Sequence, residues 1–269
     1  MPPMPMANPD ELAYALGQRI DHLLLTIGRF GAVPEFERRQ IDREIDRLAK
    51  TDAGNSFILR SQMACLDGQE AEAERQVSKA ALCGATADRV AAVRLFNLAN
   101  YGRASDGLAH VRRELRAGHA GVSSMIPAAV GVGAVSTVTR VVDESVVGNQ
   151  VLAAPANESI VLAKKADAAL KLAGRTEDEV AAVLDVAGEV QREWGLLWLD
   201  RQPQIIALIG DESEDSAPGV HYHFRVDVTP REAADMTGDV GWRLVGRDDL
   251  ARSGISVAFI GSRLQALSA

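Results

Sequence analysis

The stretch VHYHFRVDV, residues 220–228, gathers the side chains of this chain that could most readily do chemistry. It alternates apolar and polar residues. A β-strand sends successive side chains to opposite faces, so His221, His223, Arg225 and Asp227 share one face and Val220, Tyr222, Phe224, Val226 and Val228 the other. Two histidines so spaced on a strand can reach one metal ion, and a nearby carboxylate can complete its shell. Asp211, Glu212, Glu214 and Asp215 lie in the adjoining loop, so His221, His223, Asp211 and Asp215 form the candidate ligand set for a divalent metal. Zinc or manganese held there would activate water for hydrolysis. An HxH pair alone has low specificity, and no second metal-spaced pair accompanies it, because His22, His110 and His119 fall in helical sequence. The ordinary reading is a solvated sheet face, with Arg225 paired to Asp227 or to the loop carboxylates. That reading is preferred here, and the metal site is the alternative.

Other chemistry is sparse. GVGAVS at 131–136 imitates a dinucleotide-binding loop, but no strand precedes it and no acidic residue follows at the required distance. P-loop, HExxH and GxSxG motifs are absent. Cys65 and Cys83 form no CxxC pair and fall in helix-like segments, which fits free thiols in a reducing cytoplasm. The opening MPPMPMANPDELAYAL has no basic region followed by an apolar run, so no secretory signal is expected. Residues 125–142, MIPAAVGVGAVSTVTRVV, are too short and broken for a membrane span and read as a buried helix or a self-association face. The formal net charge of −8 weighs against wrapping nucleic acid, which needs a basic face.

The elements that would position these residues are mostly helical. Aromatics are 4% of the chain, so Ala, Val and Leu must build the core, which suits closely packed helices. Asn8-Pro9-Asp10-Glu11 is a helix start leading to about Gly28, with Leu12, Leu16, Leu23, Leu24 and Ile27 inward. A second helix follows Pro34, with Phe36, Ile41, Ile45 and Leu48 on its inner side. Further helices are expected near 55–66, 70–83, 87–100 and 105–117. Gly68 and Gly102 mark turns 34 residues apart, and Val77 and Val111 keep the same offset. In NSFILRSQMACLDGQEAEAERQVSKAAL, Phe57 is the large residue and Ser61, Ala73 and Ala80 are the small residues where two helices cross.

This unit resembles a tetratricopeptide repeat, and the resemblance covers roughly residues 10–120. Arg60 and Ala85 depart from the pattern, as do Gly107 and Glu114 in the second unit. The resemblance implies a concave groove for a peptide or a partner helix.

Two longer helices are expected next. Asn157 caps one that Gly174 ends, and Thr176-Glu177-Asp178-Glu179 opens another whose apolar stripe runs through Trp194, Leu197 and Trp198. Residues 142–156 read as an irregular joint. After Arg201-Gln202-Pro203 come QIIALIG, a strand buried on both faces, then the amphipathic strand 220–228. A helix opened by Thr229-Pro230-Arg231-Glu232 and a third strand, ISVAFIG, complete the chain.

The fold class is therefore α+β, mostly α. An N-terminal helical hairpin array (8–120) and further helices packing on it (121–200) precede a small β-β-α-β domain (201–269). The function expected is a non-enzymatic interaction module, an adaptor or subunit of a multiprotein complex, cytoplasmic, with a protein or peptide partner or a second copy of itself. No cofactor is expected beyond the divalent metal of the hydrolase alternative. A nucleic-acid-associated subunit acting within a complex is the third reading, with Arg38, Arg39, Arg43 and Arg47 as its surface. Arg38, Arg39, Arg43, Arg60 and Arg94 are the candidate partner-binding residues.

Overall fold

The computed structural model describes residues 8–116, 122–144, 154–198, 203–208, 217–247, 250 and 254–263. The metal-ligand candidates Asp211 and Asp215, with Glu212 and Glu214, lie outside them, as does most of the joint expected at 142–156. The fold is α+β and mostly α.

Helix α1 (Pro9–Thr26) starts under Asn8, whose side chain accepts from the Asp10 amide, and Gly28 turns the chain at φ 65. In α2 (Glu35–Leu48), Ile41, Ile45 and Leu48 are fully buried. Phe36 is not on that face as expected but 71% exposed, because five residues before Ile41 is about 140° around the helix. Helices α3 (Ala53–Leu66), α4 (Glu70–Leu82), α5 (Ala87–Asn100) and α6 (Ala104–Arg116) follow as two more hairpins. The small residues read from the sequence, Ser61, Ala73 and Ala80, are buried at the α3–α4 crossing, and Val77 is buried with them. Ser61 Oγ donates to the Ala73 carbonyl at 2.9 Å and accepts from Asn97 Nδ2 at 2.8 Å, so its hydroxyl is satisfied inside the crossing.

The segment 125–142 is a broken pair, α7 (Val122–Gly131) and α8 (Val135–Glu144), separated at Gly133 with φ 85. The GVGAVS motif is this break. Met125, Ile126, Val130, Val132, Val135 and Val138 are buried in the main core, which is the buried-helix alternative. Helix α9 (Ala154–Leu172) begins ahead of the expected cap at Asn157, with Pro155 in its first turn, where proline is well tolerated. Helix α10 (Glu177–Glu193) has the full capping box between Thr176 and Glu179. It ends before the predicted stripe does: Gly195 turns with φ 63, and Leu196 to Trp198 run extended.

The C-terminal part has the expected order, β1 (Gln204–Leu208), β2 (Gly219–Val226), α11 (Pro230–Val245), β3 (Ile255–Gly261). Strand β2 is central, antiparallel to β1 and parallel to β3, with Tyr222 opposite Ile205 and Val257. Helix α11 is the crossover a parallel pair requires, and Thr229 and Glu232 close a second capping box. Strand β1 is not buried on both faces. Ile205 is buried, but Gln204 is exposed and Ile206 is 37% exposed. It is an edge strand of a sheet whose covering helices, α9, α10 and α11, pack on one face.

One buried cluster runs from Ala91 through Tyr222 and Phe224 to Phe259, and a second gathers α1, α2 and α3 around Ile20, Ile41 and Leu59. The extended segment after α10 joins them. Leu196 pairs with Arg29 and Trp198 with Val226, as antiparallel bridges. Leu197 donates its amide to the Gly28 carbonyl at 2.9 Å, and Phe30 donates to the Gly195 carbonyl at 3.0 Å. With the alternation of a strand, Leu197 enters the second cluster while Leu196 and Trp198 enter the first. Trp198 stacks on Phe224 at 4.2 Å between ring centroids.

Where α10 crosses the α5–α6 turn, Gly188 meets Gly102. A Cβ on Gly188 would lie 2.0 Å from the Gly102 carbonyl oxygen, and Gly102 itself has φ 60. Gly188→Ala should lower stability by about 1–3 kcal/mol, the usual range for overpacking. Gly241→Ala, on an open face of α11 with nothing within 4 Å, should raise it by about 0.5–1 kcal/mol. Urea unfolding of the two variants checks both signs. Tyr222 Oη is buried with no hydrogen-bond partner among the described residues, so Tyr222→Phe should be neutral to stabilising, by about 1 kcal/mol.

His110 is 2% exposed. Its Nε2–H donates to the Ala91 carbonyl, and its Nδ1 accepts from Arg113, which fixes one neutral tautomer. Burial depresses its pKa; the Ala91 bond and Glu114 oppose this, and Arg113 and Arg94 add to it. The unfolded chain binds the proton first as the pH falls. The contribution of His110 to stability is therefore complete above about pH 6.5 and is lost as the pH drops from there through the folded-state pKa. His110→Gln should flatten the wild-type stability profile below about pH 6.5, as read from urea midpoints across pH.

Candidate functional site

The odd-numbered helices of the helical part pack side by side, α1 on α3, α3 on α5 and α5 on α7. A cavity of about 220 Å³ opens among these four. Asp21 and Leu25 reach it from the last turns of α1, and Gln62 from α3. Ala92, Val93 and Phe96 form the wall from α5; Ser124, Pro127 and Ala128 close it from α7. Helix α5 can serve both core and groove because it is apolar on two sides. Val90, Ala91, Leu95 and Ala99 are buried, while Ala92, Val93 and Phe96 stay half-buried.

The cavity is apolar on its walls and polar at one edge. Gln62 Nε2 donates to Asp21 Oδ1 at 3.3 Å. Arg89, one turn before Ala92 and Val93, is half-buried. Burial lowers its pKa, while the charges of Asp52 and Asp21 oppose that shift. Asp52 also caps α3, accepting from the Asn55 amide at 2.9 Å. Such a site can seat an apolar side chain and place a charge beside it. Among the residues that line it there is no cysteine or histidine to act as nucleophile or base.

A second depression, about 560 Å³, is polar and lined by Arg112, Ser136, Thr137, Arg140, Lys171 and Glu177. Its carboxylates are held. Glu177, expected only as part of a helix start, accepts from the Thr137 amide at 2.9 Å, from its hydroxyl at 2.6 Å and from Arg112 at 2.7 Å. It thereby caps the first turn of α8 from another helix. Asp167 is shared between Ser136 and Lys171. These bonds pin α6, α8, α9 and α10 together.

His221 and His223 occupy the half-exposed face of β2, opposite Ile206 and Gln204 on β1. His221 Nδ1 is hydrogen-bonded to Ser256 Oγ on β3. Arg225 is exposed on the same face, and Asp227 pairs with Arg263 at the end of β3 and with Arg29 after α1. Arg263, the nearer cation, holds the Asp227 carboxyl below its usual range. No group of three or more His, Cys, Asp or Glu that could hold a metal ion occurs among the described residues.

The candidate partner-binding arginines fall in two places. Arg38, Arg39, Arg43 and Arg60 gather around α2. Arg38 pairs with Asp67 and Asp42, Arg39 with Glu35, and Arg60 with Asp46 at 2.5 Å, while Arg43 donates to the Arg39 carbonyl. Arg94 pairs with Glu74 at 2.7 Å and lines a separate cleft with Val90 and Glu114. None of the five lines the groove cavity. Sequence reading passed over Asp21, Leu25, Gln62 and Phe96. The available signal was the second apolar face of α5.

No family model, curated protein or solved structure matches this chain.

Leu25 belongs to none of the buried clusters, so Leu25→Ser should leave the unfolding midpoint within about 0.5 kcal/mol of the wild type. Phe224→Ala, by contrast, should cost about 3–5 kcal/mol, because it empties the centre of the sheet core.

Proposed function

We propose that this chain is a non-enzymatic protein-interaction module, an adaptor or subunit of a larger complex, built on a tetratricopeptide-like array. The observation that carries the reading is the cavity shared by α1, α3, α5 and α7, mostly apolar and open to solvent, at the place where such arrays seat a peptide or helix. The internal pairing of Arg38, Arg39, Arg60 and Arg94 favours a protein over a nucleic-acid partner, because phosphate contacts need uncommitted cations. A reducing cytoplasm is the setting that suits the exposed thiol of Cys83.

Site-specific photocrosslinking in the native cell tests the reading. A crosslinking amino acid at Leu25 should yield a discrete adduct that is missing when it replaces Arg75 on the exposed face of α4. The adduct should vanish when Ser124→Arg blocks the cavity. Identical products from both positions, or an adduct indifferent to Ser124→Arg, would overturn it.

A further inference from the structure

We propose that this chain pairs with a second copy of itself along strand β1, antiparallel across a two-fold axis at Ile206, so that two sheets join into one. The two edges of the sheet differ, and that difference carries the inference. At the β3 edge the backbone is already engaged by α11. The Phe259 amide donates to Thr237 Oγ1 at 2.9 Å, and the same hydroxyl donates to the Ala233 carbonyl at 2.9 Å. At the end of β3, a Cβ on Gly261 would lie 2.5 Å from the Thr229 carbonyl carbon. A strand added there would lose the Thr237 bond and meet α11.

The β1 edge is open. Backbone groups alternate sides along a strand, and the Val220 amide donates to the Gly254 carbonyl. The even-numbered residues of β2 therefore turn their backbone groups to β3 and the odd-numbered ones to β1. Gln204, Ile206 and Leu208 stand opposite His223, His221 and Gly219, and their amides and carbonyls are spent there. Ile205 and Ala207 aim theirs away from β2, and among the described residues these outward groups meet no partner. Nor does the strand carry the features that guard an edge. QIIAL has no charge and no proline, and it pairs with β2 residue for residue, without a bulge.

A second β1 completes this edge in one register. With Ile206 opposite its own copy, Ile205 and Ala207 of one chain exchange both backbone bonds with Ala207 and Ile205 of the other, and every outward amide is used. Ile206 then meets its twin as a close, non-hydrogen-bonded pair. Its side chain is 37% exposed on the uncovered face of the sheet, beside His221, and the twin covers it. The strand is neutral, so two copies of a chain with net charge −8 meet here without like charges at the seam. A single short strand makes a small interface, so the dimer is weak and concentration-dependent.

Sedimentation velocity over a concentration series reads this, with the wild type passing from monomer to dimer as concentration rises. Ala207→Pro removes an outward N–H and no bond to β2, so the dimer should be lost while the urea midpoint of the monomer is kept. Ile206→Lys, on the exposed side of the strand, sets like charges opposite each other and should also abolish the dimer. Under mild oxidation, with the exposed thiol removed by Cys83→Ser, Ile206→Cys should give a disulfide-linked dimer, because its Cα lies within bridging distance of its twin. Gln204→Cys should not, since in this register it lies about 14 Å from its twin, four residues along the strand. A wild type that stays monomeric overturns the proposal and leaves the edge to a strand from another protein. A dimer indifferent to Ile206→Lys, or equal crosslinking through positions 204 and 206, overturns it and puts the interface elsewhere.

Discussion

The fold depends on a glycine turn and the three extended residues that follow it. Gly195 to Trp198 lies between the first helical hairpin and the central strand of the sheet, hydrogen-bonded to both, and its alternation puts Leu197 in one core and Leu196 and Trp198 in the other. Neither core is complete without it. Arg29 adds to the same seam, donating to the Asp227 carbonyl and pairing with its carboxylate. The orientation of the hairpin groove relative to the sheet is therefore set by backbone bonds, which tolerate little slippage.

Around that seam, close approach is secured by the smallest residues. Gly102 against Gly188 and Ser61 against Ala73 let helices cross with almost no side chain between them. A core with few aromatics fills space in this way, and it explains why an Ala- and Val-rich chain buries so many residues completely. Four of the aromatic side chains meet in stacked pairs inside the fold: Trp198 on Phe224, and Phe30 beside Tyr101.

Much of this was legible beforehand. Most helix starts, the glycine stops, the small residues of the α3–α4 crossing and the strand-strand-helix-strand order follow from local rules that tertiary packing left intact; the start of α9, which runs ahead of Asn157, does not. The errors share one cause. QIIALIG reads as fully buried because its composition is apolar, but helices cover one face of this sheet, and composition does not say which faces are covered. The stripe through Trp194 and Trp198 has helical spacing, yet Gly195 turns the chain so that the same residues serve a strand-like segment. Phe36 is apolar and off the stripe. The groove was legible only as an architecture. Its lining comes from four helices dispersed in sequence, and no motif links Asp21 to Gln62 or Phe96. The capping of α8 by Glu177 is similarly invisible, since its partners are 40 residues away.

The placement of Leu197 also bears on how the chain is made. Synthesis delivers the first three helices long before residue 197, so the Leu197 socket in the second cluster, the Gly28 carbonyl and the Phe30 amide wait for a partner from late in the chain. The groove helices acquire their final support only when that segment arrives. A nascent or truncated chain ending before α10 thus presents an open apolar socket and an unpaired backbone edge, which makes the interval before residue 197 emerges the stage at which this protein most needs protection from aggregation.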